Sequence, residues 1–122
     1  MIKNFETITA SLTEYERDMV IPVLVEFLKP RIGSKYAIRN KEICRIFRNN
    51  GYEVSEPRIR KCINYIRING LVPHLIANSN GYYRASSVEQ VETYLESLDQ
   101  RATAIWAMRA ALARDISGKL FI

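Results

Sequence analysis

Residues 40–70 read NKEICRIFRNNGYEVSEPRIRKCINYIRING, and this stretch decides the fold that we predict. Asn40 is a good N-cap for a first helix, which ends where Gly51 suits the left-handed position after a helix. Ser55 caps a second helix, which tolerates proline in its first turn and ends at Gly70. The stretch therefore predicts two helices joined by a short turn.

The second helix has an apolar face and a basic face. Its apolar side chains recur at helical spacing and predict a buried stripe of Ile59, Cys62, Ile63 and Ile66. The other side of the helix is basic and carries an amide; its residues are Arg58, Arg60, Lys61, Asn64, Tyr65 and Arg67. Ile68 is exposed on the same side and suits a protein contact better than a nucleic-acid contact.

A further helix is predicted before this stretch, after an N-terminal arm of residues 1–11. Thr13 and Glu16 have the spacing of a capping box, and apolar residues continue at helical spacing to Leu28. Pro22 lies inside the apolar stripe, so the helix is predicted to kink or split near Ile21.

Beyond residue 70 the pattern changes to strands. Residues 35–39 (KYAIR), together with 75–77 and 82–84, read as short extended segments. Asn80-Gly81 is the strongest hairpin signal, because a type I′ turn requires positive φ at both central residues. With these two residues as the loop, Arg84 would lie opposite Ala77.

Residues 86–117 predict one long helix, which leaves 118–122 as a tail. Ser86 and Glu89 have capping-box spacing, and no glycine or proline interrupts the segment before Gly118. Apolar residues follow a heptad pattern that predicts homodimerisation through Val91, Leu95, Leu98, Ile105, Leu112 and Ile116. The alternative is that this long helix packs on the helix of its own chain that begins at Thr13.

Charge is segregated along the 122 residues, whose net charge is +5. Residues 31–85 carry eleven basic and three acidic side chains, for +8, whereas 1–30 sum to −2 and 86–122 to −1. A concentrated basic block between acidic flanks indicates a surface that binds a polyanion such as nucleic acid.

The order of helices, turn and hairpin over residues 12–85 resembles a winged helix-turn-helix domain, giving a mainly α fold with a small β-hairpin wing. The segment RIRKCINYIRINGLVP (58–73) followed by NSNGYYRA (78–85) is also similar to small winged-helix proteins of phages and mobile elements.

The resemblance implies a duplex-DNA-binding protein that acts as a transcriptional regulator or a replication accessory. Helix 55–69 would read the major groove through its basic face. Phosphate contacts would come from Lys41, Arg45 and Arg48, and wing contacts from Lys35, Asn78, Asn80 and Arg84.

Other function classes find little support in the sequence. Two cysteines and one histidine do not supply a zinc site without carboxylates, and no phosphate-binding loop or catalytic motif is present. We therefore expect no enzyme activity, no cofactor and no small-molecule substrate. No apolar run reaches the roughly 20 residues of a membrane span, which favours a cytoplasmic location. The competing hypothesis is a protein-interaction module or scaffold.

Overall fold

The computed structural model describes residues 12–118 and is mainly helical, with one two-stranded antiparallel hairpin. The helical elements are a π-helical segment (Glu16–Val20), α1 (Ile21–Leu28), a 3-10 turn (Ser34–Tyr36), α2 (Asn40–Asn49), α3 (Glu56–Ile68) and α4 (Val88–Ser117). The strands are β1 (Leu75–Asn78) and β2 (Gly81–Arg84). The predicted arm (1–11) and all but Gly118 of the predicted tail lie outside the described residues.

The first helix begins and splits as its sequence predicts. The Thr13 N–H donates to Glu16 Oε1 at 2.8 Å, and the Glu16 N–H donates to Thr13 Oγ1 at 3.1 Å, which completes the capping box. A π-helical segment then gives way to α1 at Ile21, next to Pro22. Proline lacks the N–H that would continue the helical bonding, so a change of helical register here accommodates its ring.

The predicted apolar face of α3 is confirmed, because Ile59, Cys62, Ile63 and Ile66 are all completely buried. Ser55 is the N-cap of α3, and its Oγ accepts from the Arg58 N–H at 3.4 Å. The core packs this face against α1 and α2, and includes Leu24 and Ile43.

The prediction that Asn40 caps α2 is wrong. Arg39 holds the N-cap position without a side-chain cap bond, and Asn40 is already the first helical residue. The Asn40 side chain donates instead to the Glu56 carbonyl at 2.8 Å. This amide therefore ties the start of α2 to the start of α3, a contact between residues 16 positions apart that capping preferences do not encode.

The hairpin is confirmed, but its turn differs from the prediction. The strands pair Asn78 with Gly81 and Leu75 with Arg84, so the loop is Ser79-Asn80 and Arg84 lies opposite Leu75 rather than Ala77. Among the described residues, only His74 and four glycines have positive φ, which excludes a type I′ turn at Asn80-Gly81.

Gly81 is required by a close approach of the preceding chain. It has φ +116°, and a Cβ at this position would lie 2.3 Å from the Ile38 carbonyl oxygen. The backbones of Ile38 and Tyr82 exchange hydrogen bonds at 2.8 and 3.1 Å there. The segment 35–39 is thus extended only at its end, because residues 34–36 form the 3-10 turn.

The chain divides into two compact units, residues 1–86 and 87–122. The second unit contains α4, whose N-cap is Ser87 rather than the predicted Ser86: Ser87 Oγ accepts from the Gln90 N–H at 3.2 Å. All 30 residues of this helix are described, and none of them is buried. The described buried core lies entirely in the first unit.

Candidate nucleic-acid interface

Helix α3 presents a polar stripe opposite its buried face. Arg60 is exposed, Asn64 is half-buried, and Ile68 is 52% exposed. Steps of four residues place these three side chains on one side of the helix, as predicted. Lys61 and Arg67 flank the stripe and are half-buried, and Tyr65 is half-buried with contacts to the core. The exposed stripe therefore centres on Arg60 and Asn64.

Arg58, which was predicted to contact DNA, has a structural partner within the chain. Its Nε donates to Glu16 Oε2 at 2.6 Å, and its Nη2 donates to Oε1 of the same carboxylate. Glu16 is buried, with a side chain that is 5% exposed. The hydrogen bond from Arg58 is the main cause that lowers the pKa of Glu16, and Thr13 adds to it, while burial opposes the shift. Arg58 therefore joins the first helix to α3.

An open groove of about 600 Å³ lies along α2, from Arg39 to Asn49. Four basic side chains line it, together with two glutamates that balance part of the charge; the basic residues are Arg39, Lys41, Arg45 and Arg48. Arg48 also borders a second depression of about 560 Å³ that includes Tyr52 and Ser55 in the turn between α2 and α3. The first of these, the groove along α2, has the electrostatic character of a phosphate-binding surface. We call it the α2 groove.

The four cations of the α2 groove are not equivalent. Arg45 forms an ion pair with Glu42 on the same helix, and this pair lowers the pKa of the Glu42 carboxyl. Arg39, Lys41 and Arg48 are exposed, and no carboxylate of residues 12–118 pairs with them. These three side chains therefore carry the net positive charge of the groove.

Arg39 was missed as a site residue by the sequence analysis. It belongs to the basic block of residues 31–85, and that charge signal was the only one that pointed to it. The assignment of Asn40 as N-cap placed Arg39 in a connecting segment, whereas it holds the N-cap position itself and lines the groove.

The hairpin holds its polar residues in internal contacts. Arg84 donates to the carbonyls of Pro73 at 3.1 Å and Lys29 at 3.0 Å, so it anchors the base of the hairpin and is not a cation of the wing tip. Asn78 donates to the Tyr83 hydroxyl at 3.2 Å and accepts from the Asn80 N–H at 2.9 Å, which shapes the turn.

Besides Asn78, whose exposed side chain bonds within the hairpin, two predicted wing residues have exposed side chains. Asn80 is exposed at the turn of the hairpin. Lys35 is exposed on the 3-10 turn, with its Nζ 5.2 Å from the centre of the Tyr36 ring. These two side chains remain the wing candidates for a contact with a partner.

The cysteines have the character of core residues. Cys44 and Cys62 are free and buried, as the sequence predicts. Burial raises the pKa of the Cys62 thiol to about 12, so this thiol is protonated at neutral pH. A protonated buried thiol is a poor nucleophile, because the thiolate is the reactive form. Within residues 12–118, no three histidine, cysteine, aspartate or glutamate side chains are grouped to hold a metal ion.

No protein-family model matches this chain, and neither a curated protein nor a solved structure is significantly similar to it. Over the part of the chain that the structure describes, no helix combines the length and apolar character needed to cross a membrane.

Proposed function

We propose that residues 12–85 form a winged helix-turn-helix domain that binds duplex DNA. The order of elements supports this proposal, since α2 and α3 pack together across a short turn and a hairpin follows α3. In this class of domain, the second helix of the pair enters the major groove, and here that helix is α3.

One observation carries the proposal. Three exposed cations without a carboxylate partner among residues 12–118 line one groove, Arg39, Lys41 and Arg48, and Arg60 is a fourth on α3. Arg17, Lys35 and the arginines of α4 are also exposed without a carboxylate partner, but they do not line this groove. Cations that serve only stability or solubility are expected to be interspersed with acidic side chains, whereas a surface that binds phosphate keeps them free.

The chemistry of binding divides between two sets of residues. Arg39, Lys41 and Arg48 contact phosphates, which positions the protein and releases counterions from the DNA. Arg60 and Asn64 contact base edges, because arginine donates to guanine O6 and N7 and asparagine pairs with adenine in the major groove. The protein then acts by binding alone, as a transcriptional regulator or a replication accessory.

Fluorescence polarisation with labelled random-sequence duplex DNA tests the proposal at two salt concentrations. We expect Arg60→Ala to weaken binding about tenfold, equivalent to about 1.4 kcal/mol. We expect Arg39→Ala/Lys41→Ala/Arg48→Ala to lower the slope of log K against log salt by about 2 to 3, because each phosphate contact contributes about 0.9.

The matched control is Arg17→Ala, which removes an exposed arginine outside the basic block and changes the net charge as much as Arg60→Ala does. We expect this control to bind within about twofold of the unmodified protein. Equal losses for Arg17→Ala and Arg60→Ala would mean that net charge alone governs binding and would overturn the assignment of α3. Absence of binding at low salt would overturn the DNA proposal itself.

A protein-interaction module is the second candidate function. Ile68 is 52% exposed and Leu71 is 40% exposed just beyond it, so the end of α3 presents an apolar patch that DNA contact does not explain. Replacement of both residues by serine separates the two functions. A DNA-binding surface keeps its affinity after this change, whereas a partner-binding surface loses its apolar contacts.

A further inference from the structure

Helix α4 has an apolar stripe that its own residues leave exposed. Heptad steps of three and four residues connect Val88 to Ile116, and the side chains of this seam are accessible: Leu95 is 52%, Ile105 66%, Leu112 59% and Ile116 67% exposed. The helix is about 45 Å long at 1.5 Å per residue. An apolar seam that continues over four heptads is the sequence pattern of a helix that pairs with another helix.

Charge along α4 is strongly asymmetric. Residues 88–99 carry four acidic side chains and no basic one, for −4, whereas 100–117 carry three arginines and one aspartate, for +2. The two halves of the helix therefore have opposite charge. Such a helix is complementary to a second copy of itself only when the copy runs in the opposite direction.

We propose that α4 pairs with α4 of a second chain in an antiparallel coiled coil. This inference rests on unit 87–122 and is independent of the DNA proposal. In antiparallel pairs the two seam positions of the heptad face each other, and one register brings nearly the whole helix into contact. Its layers pair Val91 with the partner's Ile116, Leu95 with the partner's Leu112, Leu98 with the partner's Arg109, and Ala102 with the partner's Ile105.

The position of Arg109 favours this direction over a parallel pair. Arg109 lies on the seam, and its guanidinium is 5.4 Å from the centre of the Trp106 ring. A parallel pair would bring Arg109 against the partner's Arg109 and would align the two acidic halves. The antiparallel register instead packs the aliphatic part of Arg109 on the partner's Leu98 and brings its charge beside the partner's Asp99.

The seam also explains how a helix of this length persists. Most helical stability in proteins comes from packing of an apolar face, and α4 buries none of its residues in its own chain. Ala102 is the small seam residue, and the antiparallel register places it against the larger side chain of the partner's Ile105. Large and small side chains then alternate across the centre of the pair, as close packing requires.

Sedimentation equilibrium and spin-label distances on the full chain test this proposal. Thr93 and Thr103 are exposed and lie off the seam, and single cysteines at these positions carry the labels. In the antiparallel register, labels on Thr93→Cys are separated by about 31 Å along the helix axis, and labels on Thr103→Cys lie side by side near the centre. The buried Cys44 and Cys62 are protected from labelling, which the unmodified chain verifies.

We expect a dimer in which the distance between the two labels is long at position 93 and short at position 103. Short distances at both positions would show a parallel pair. A chain that stays monomeric at a concentration on the order of 50–100 µM would show that α4 does not pair. Either result overturns the proposal.

A pair of substitutions tests the seam itself. Ile105→Asp places a charge in the central layer and is expected to raise the dimer Kd at least 100-fold. Thr103→Asp adds the same charge outside the seam and is expected to change the Kd less than about threefold. Neither substitution touches the core of residues 12–86, so unchanged unfolding of that core shows that both variants are folded. Equal effects of the two substitutions on the dimer Kd would exclude the heptad seam as the interface.

Discussion

Glu16 connects two distant parts of the chain through one carboxylate. Its Oε1 accepts from the Thr13 N–H, and both of its oxygens accept from Arg58, 42 residues further along. A buried carboxylate is costly unless it is paired, and here a capping bond and an ion pair together meet that need. Glu16 thus fixes where α3 begins relative to the first helix.

We expect Glu16→Gln to lower the free energy of unfolding by about 2 kcal/mol at pH 7. The value lies below the usual cost of breaking a buried pair, because the Arg58 side chain is 32% exposed. Glu42→Gln is the matched control; its ion pair with Arg45 is exposed and screened by solvent, so we expect a much smaller change than for Glu16→Gln. Urea unfolding measures both values, and equal losses would contradict a special role for Glu16.

The same comparison has a defined pH dependence. The folded protein holds the pKa of Glu16 below its usual value of 4.5, so the stability it contributes is present above that value and is lost as the pH falls through the folded pKa. The difference between Glu16→Gln and the unmodified protein should therefore shrink as the pH is lowered below 4.5. A difference that stays constant down to pH 2, roughly the lower limit of native carboxyl pKa values, would mean that it is not electrostatic.

At the scale of elements, the hairpin depends on the segment before α2. Ile38 exchanges backbone hydrogen bonds with Tyr82, and Gly33 donates to the Arg84 carbonyl at 2.8 Å. An isolated two-stranded hairpin is marginally stable in water, and these hydrogen bonds hold it against the rest of the first unit. Gly81 permits the approach, since no other residue fits against the Ile38 carbonyl.

We expect Gly81→Ala to lower the free energy of unfolding by more than about 2 kcal/mol, because the new Cβ would force the Ile38 backbone away. Gly51→Ala is the matched control. Gly51 also has positive φ, at +92°, but a Cβ there meets no atom within 4 Å, so only backbone strain of about 1 kcal/mol is expected. Thermal unfolding followed by circular dichroism compares them, and similar losses would show that the close approach carries no energy of its own.

At the scale of the whole molecule, charge and packing divide at the same place. The described buried core lies in unit 1–86, which also contains the basic block, whereas unit 87–122 carries exposed apolar side chains and a charge near zero. The two proposed activities therefore belong to separate units: DNA binding to the first and self-association to the second.

This division predicts that a fragment of residues 1–86 folds without α4. We expect cooperative thermal unfolding with a midpoint within about 5 °C of that of the full chain at a concentration where the chain is monomeric, equivalent to less than about 1 kcal/mol. Differential scanning calorimetry measures this. A fragment that fails to unfold cooperatively would show that the core depends on residues after 86.

The local features of this protein follow from its sequence alone. The capping box of Thr13 and Glu16, the Ser55 cap and the ends of α2 and α3 follow from preferences within a few residues, and so does the buried stripe of α3. Helical period and capping act over one or two turns, so they can be read without knowledge of the fold. The hairpin was also predicted from local sequence, although the turn forms at Ser79-Asn80 and not at the predicted Asn80-Gly81.

The partners that side chains find far along the chain depend on how the whole chain packs. Arg58 was predicted on the DNA-binding face, Arg84 at the wing and Asn40 as a cap, yet each bonds to a group at least 11 residues away. The hairpin turn also differs from its local signal, because the Ile38 backbone needs Gly81 at the first position of β2. Such contacts form only when separate segments are brought together, since a charged or amide side chain is stabilised by whichever buried group the packed chain places beside it.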